Sequence, residues 1–159
     1  MYPLRKGRHN MSYFAVNEDD TIFRIQTDQV GKAPYSGFAV SGKGTLVEFS
    51  TDSWGRVTRI ECIYMGEVLH EPTLAATLPD IRTDKRISRV ACITCSFGEE
   101  CGCVVNVIPR ELNIIFSADL DDIGNYFKDG RVEYYYNNEF ELQYIKVLDL
   151  TDEEYAFLA

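Results

Sequence analysis

The chain has 159 residues, 45% of them apolar and 26% charged, which suits one globular domain large enough to bury a core without disulfide staples. Its net charge of -9 argues against nucleic-acid binding, because displacing counterions from phosphate needs basic charge. The charge-free stretches are too short to cross a bilayer as a helix, and the five cysteines, an odd count with no secretory signal, read as reduced thiols in a cytoplasmic protein.

In chain order, residues 1–10 are basic but carry no apolar stretch behind the charges, so they do not read as a signal peptide. They are expected to be a disordered extension, with residues 11–159 forming a single domain. Tyr13 to Val16 and Thr21 to Gln26 read as strands around a Glu18-Asp19-Asp20 turn. Thr45 to Phe49 and Arg56 to Tyr64 form a first hairpin. Pairing Val47 with Thr58 puts Val47, Phe49, Ile60, Cys62 and Tyr64 on one face. Glu71 to Asp84, with Pro72 and Pro79 around a short helix, is expected to connect two halves of the sheet structure.

A second hairpin is predicted from Val90 to Ile108, turning at Phe97-Gly98-Glu99. Both faces of its strands are largely apolar, which suits the centre of a sheet covered on both sides. Leu112 to Ser117 is a further strand, and Asp119 to Phe127 a short helix ending before Asp129-Gly130. A third hairpin joins Arg131–Tyr136 to Phe140–Leu148. A three-residue loop at Asn137-Asn138-Glu139 pairs Tyr136 with Phe140, Tyr134 with Leu142 and Val132 with Tyr144, leaving Glu133, Tyr135, Glu141 and Gln143 on the other face. Thr151-Asp152-Glu153-Glu154 matches a capping box, so Asp152 to Leu158 is predicted to be helical. The fold class that follows is mainly β, with antiparallel sheets in a sandwich or half-barrel and one or two short helices.

Residues that carry chemistry are sparse. Cys92, Cys95, Cys101 and Cys103 follow a C-x2-C-x5-C-x-C spacing, unlike the paired knuckles of a structural zinc site. Core packing is the favoured reading for them, ahead of metal binding or a Cys95–Cys101 disulfide. His9 and His70 are the two histidines; His70, at the end of a strand-like run, reads as a surface or hydrogen-bonded structural residue rather than a general base. The acidic groups, Asp119/Asp121/Asp122 among them, lack calcium-loop spacing. The basic cluster Arg82, Lys85, Arg86 and Arg89 reads as a solvated loop. No cofactor or metal is expected, and no enzyme.

The charge itself is unevenly placed. Residues 1–97 hold 12 basic and 11 acidic side chains, whereas residues 98–159 hold 4 and 14. An acidic part of this kind suits fast capture of a basic protein partner. In this general character, with its acidic segment from Glu99 to Glu154 and its β pattern, the chain resembles the bacterial immunity proteins of polymorphic toxin and contact-dependent inhibition systems. The resemblance implies a cytoplasmic protein that neutralises a cognate basic toxin, such as a nuclease, in a one-to-one complex. Asp119, Asp121, Asp122, Glu133, Tyr135 and Glu141 are then the candidate partner contacts, aromatic anchors among acids being what an interface requires. Two other readings stand beside it. One is a small-ligand binder with a pocket lined by Tyr and Phe. The other, ranked last, is an enzyme using dispersed carboxylates.

Overall fold

A computed structural model of the chain describes residues 12–27, 35–40, 44–51, 57–71, 82–83, 101–116, 123–138 and 142–159. The strands are β1 (Tyr13–Glu18), β2 (Thr21–Gln26), β3 (Tyr35–Val40), β4 (Leu46–Thr51), β5 (Val57–Tyr64), β6 (Arg82–Thr83), β7 (Cys101–Gly102), β8 (Val104–Ile108), β9 (Glu111–Ile115), β10 (Ile123–Asp129), β11 (Val132–Asn137) and β12 (Leu142–Val147); helix α1 covers Asp152–Leu158. They form two six-stranded sheets, ordered β1-β2-β5-β4-β3-β7 and β6-β10-β11-β12-β9-β8. Pairing is antiparallel except where the two-residue strands β6 and β7 run parallel to β10 and β3. The expected mainly β class is what the chain adopts, as a sandwich with a minor helix.

One apolar cluster joins the two layers. Phe14, Phe23, Ile25, Val47, Phe49, Ile60 and Cys62 from the first sheet meet Val105, Val107, Leu112, Ile114, Val132, Tyr134, Ile145 and Val147 from the second. Strand alternation sends every second side chain inward, and each fully buried Ile or Phe contributes about 1.5–3 kcal/mol. Phe49 and Phe116 meet edge-on across the layers, with ring centroids 5.1 Å apart.

The turns explain much of the register. Asp19 and Asp20 both have positive φ (51° and 63°), the requirement of the tight hairpin turn predicted there. Between β8 and β9, Pro109 is followed by Arg110 at φ 71°. Gly130, at φ 66°, opens the two-residue connection from β10 to β11. At Gly124, at the bulge of β10, the Asn138 side-chain oxygen sits where a β-carbon would be, so a larger residue there requires that side chain to turn away.

Several expectations change. In the first hairpin Val47 pairs with Cys62 rather than Thr58. The shift is four residues, an even number, so Val47, Phe49, Ile60 and Cys62 still share the buried face, all at 0% exposure. Tyr64 does not join them, because a bulge between Leu46 and Val47 leaves it 62% exposed. The return strand predicted for the second hairpin is split into β7 and β8, and β8 pairs with β9, turning at Pro109-Arg110; Val90–Cys95 and the Phe97–Glu99 turn lie outside the described residues. Strand β8 stands at a sheet edge, not its centre. Its outer side is protected instead by residues 69–71. The Leu69 N–H donates to the Val105 carbonyl at 3.0 Å, and the Val107 N–H donates to the Leu69 carbonyl at 2.8 Å.

The predicted helix over Asp119–Phe127 is strand β10 from Ile123 onward, because Asp129-Gly130 starts a hairpin turn rather than ending a helix. In the third hairpin Tyr136 pairs with Leu142, Tyr135 with Tyr144, Tyr134 with Ile145 and Val132 with Val147. The three-residue loop and its pairings are therefore wrong. A bulge takes up Gln143, so Leu142 and Ile145 both face the core while Tyr144 turns outward. Glu71–Asp84 does link the layers, since β5 lies in the first sheet and β6 in the second; the helix expected between Pro72 and Pro79, and residues 1–10, lie outside the described residues.

Helix α1 and its capping box are as predicted. Thr151 Oγ1 accepts from the Glu154 N–H at 3.1 Å, and Glu154 Oε1 accepts from the Thr151 N–H at 2.9 Å. Among the described residues no helix is long and apolar enough to cross a membrane.

Candidate functional site

Among the described residues the outer face of the second sheet groups tyrosine, glutamate, lysine and asparagine side chains, and β-register explains how they meet. Residues directly opposite in an antiparallel pair share a face. One row across the sheet therefore reads Tyr126, Tyr135, Tyr144, Ile115 and Val104, and the next reads Lys128, Glu133, Lys146, Asn113 and Asn106. The three tyrosine rings follow one another with centroids 5.1 and 5.3 Å apart.

This face is not a solvated one. Tyr144 and Asn113 are 0% exposed and Tyr135 is 6% exposed. Burial brings the hydroxyls into hydrogen bonds. Tyr126 donates to Glu133 Oε2 and Tyr135 to Glu133 Oε1, each at 2.8 Å, and Tyr144 donates to Asn113 Oδ1. Burial and the Glu133 carboxylate push the Tyr126 hydroxyl up to about 12, and the same two causes raise Tyr135 further. Tyr144 is raised by burial and then by the charges of Glu111 and Glu133. Lys146 lies 3.5 Å from Glu111 Oε1 and 5.9 Å from the centre of the Tyr144 ring.

Glu133 and Tyr135, two of the sequence-derived contact residues, therefore lie side by side and are bonded to each other rather than presented as a free acid and an exposed anchor. Asp119, Asp121, Asp122 and Glu141 lie outside the described residues. A second acidic place emerges at the C-terminal corner, where Asp149, Asp152 and Glu153 are exposed and Phe157, one turn after Glu153 on α1, is 42% exposed. The first turn of α1 holds Asp152, Glu153 and Glu154, and its last turn holds no basic residue. These acids were visible in the sequence only as a capping pattern; that they and Phe157 stay exposed needed the helix to be docked.

Arg131 organises that corner. Its guanidinium donates to Glu154 Oε1 and Oε2 at 2.8 and 2.7 Å and to the Asp149 carbonyl at 3.1 Å, and it lies 5.0 Å from the Phe14 ring centre. Arg131 holds the Glu154 carboxyl below the usual glutamate range, with the Thr151 backbone N–H adding to the effect.

The remaining candidates are structural. His70 Nδ1 is 2.8 Å from the Val107 carbonyl, which can only accept, so this nitrogen carries the proton and fixes the ring to the β8 edge. Cys103 and Cys62 are buried free thiols, pushed up to about 11 and about 12 by burial. Core packing therefore describes Cys103; Cys92 and Cys95 lie outside the described residues, as does the Cys101 side chain. Among the described residues no three His, Cys, Asp or Glu side chains group to hold a metal ion. Compared with known protein families and with curated proteins, the chain matches none, so its function rests on this geometry and charge.

Proposed function

We propose that the protein is a binding and inhibitor protein of the immunity type, which neutralises a basic toxin domain in the cytoplasm by one-to-one association through an acidic surface. The observation that carries this reading is the segregation of charge along the chain. Residues 104–159, which supply β8–β12 and α1, hold 12 acidic and 4 basic side chains, whereas residues 13–64, which supply β1–β5, hold 7 and 5. Three of those four cations are already within ion-pair distance of acids of the same segment: Arg110 with Asp149, Arg131 with Glu154 and Lys146 with Glu111. A net negative segment then steers a basic partner and accelerates its capture.

The exposed Asp149, Asp152, Glu153 and Phe157 join Asp119, Asp121, Asp122 and Glu141 as contacts in this reading, with Glu133 and Tyr135 supporting the sheet behind them. The test is co-expression with the toxin encoded beside the gene. Protection of the cells and a one-to-one complex are expected. A D149N/D152N/E153Q variant is expected to bind at least about tenfold more weakly at low salt, with a shallower salt dependence. Absence of both protection and complex formation rejects the reading.

A further inference from the structure

Among the described residues, three buried side-chain atoms lack a hydrogen-bond partner: Arg59 Nε, Glu111 Oε1 and Asn113 Nδ2. The last two are separated by one residue on β9 and therefore point to the same face. Asn113 is fully buried, and a buried amide left unbonded costs about 1–3 kcal/mol. Its Oδ1 is occupied by the Tyr144 hydroxyl. Asn106, opposite Asn113, cannot relieve it by turning. Its carboxamide is tied to the Glu71 backbone, accepting from the N–H at 2.7 Å and donating to the carbonyl at 3.1 Å.

On the other side of Asn113 stands Lys146, its direct cross-strand partner. The ammonium lies 3.5 Å from Glu111 Oε1, an ion pair without hydrogen-bond geometry. Two polar atoms on one face of β9, the Asn113 amide nitrogen and Glu111 Oε1, are thus left without a hydrogen bond, with the Lys146 ammonium on the neighbouring strand 3.5 Å from the carboxylate oxygen.

The geometry points to a buried hydroxyl-binding site between β9 and β12, on the outer face of the second sheet. The guest oxygen accepts from Asn113 Nδ2 and Lys146 Nζ, and its O–H donates to Glu111 Oε1. A hydroxyl fits because it both donates and accepts, so it satisfies Asn113 in either amide orientation. Three partners are also the number a buried water makes. The guest is therefore either a water molecule or a hydroxyl of a small polyol or sugar, and this site is independent of any protein partner.

A high-resolution crystal structure of the full chain tests it, together with oxygen-17 relaxation dispersion in solution. Electron density for an oxygen within hydrogen-bonding distance of Asn113 and Lys146 is expected, as is one long-lived guest or water per chain. In an N113L/Y144F variant, which removes the amide and its tyrosine partner together, that density and the corresponding relaxation signal are expected to disappear. Mass spectrometry of the native protein separates the sources: the bare chain mass identifies water, and an added mass released on unfolding identifies a polyol or sugar. Asn113 found bonded at both amide atoms to protein groups, with no guest density and no relaxation difference between wild type and variant, overturns the proposal.

Discussion

At the scale of single residues, burial decides chemistry more firmly than residue type does. Five cysteines raise the question of reactive or metal-binding thiols, against which the spacing of Cys92, Cys95, Cys101 and Cys103 favours core packing. Cys62 and Cys103 are held in the apolar core with their thiols raised to about 12 and about 11. Only the thiolate is nucleophilic, so both are expected to resist iodoacetamide at pH 8 in the native protein and to react when it is unfolded. Mass-spectrometric mapping of the two peptides checks this, and rapid native labelling of either residue contradicts its burial. Tyr135 makes the same point. Grouped by the predicted register with Glu133 and Glu141 on an outward face, it reads from the sequence as an exposed anchor; in the sheet it is buried, and its hydroxyl is bonded to Glu133.

At the scale of elements, the local signals that succeeded were those whose hydrogen bonds close within a few residues. The capping box of α1 and the Asp19-Asp20 turn needed no distant partner. The registers that failed were set in the first hairpin by pairing that starts at Thr51 with Val57 and shifts at a Ser50/Thr51 bulge, and in the third by a bulge at Tyr135/Tyr136, which no neighbouring residue announces. Inward and outward faces survived the first error because an even shift conserves parity, and changed in the third hairpin because a bulge adds one residue.

The covered edge of β8 yields a prediction at this scale. Asn106 mimics a strand by pairing both of its amide atoms with the Glu71 backbone. N106L is expected to destabilise the protein by about 1–3 kcal/mol and to speed hydrogen exchange at the Leu69 and Val107 amides. N106D is expected to be at least as damaging, since a carboxylate cannot donate to the Glu71 carbonyl. Unchanged exchange at both amides rules out the clamp.

At the scale of the molecule, closure depends on groups that reach between layers. Ser12 Oγ donates to Asp129 Oδ2 at 2.7 Å and lies 2.6 Å from the Tyr134 hydroxyl. Arg131 touches Phe14 of the first sheet while gripping Glu154 of α1. E154Q is expected to cost about 1–2 kcal/mol near neutral pH, measured by urea unfolding. The sign follows from the lowered carboxyl of Glu154. A group depressed in the folded state stabilises above its unfolded pKa, and that contribution fades as pH falls through the folded value. The wild-type advantage should therefore shrink under acid, below the ordinary glutamate range; an advantage constant with pH would show that Glu154 acts by packing alone.

Composition, alternation and turn chemistry determined by themselves that this is an acidic, mainly β protein with a capped terminal helix, because those properties are local or additive along the chain. The tertiary structure alone decided that the C-terminal part of the chain supplies most of one layer of a sandwich, since β8–β12 belong to the second sheet and α1 follows them. It alone decided that the outer face of this layer buries a tyrosine row around Glu133 and leaves Asn113 unsatisfied. Those outcomes depend on which strands become neighbours, and pairing between distant strands is set by bulges and packing that no short stretch of sequence contains.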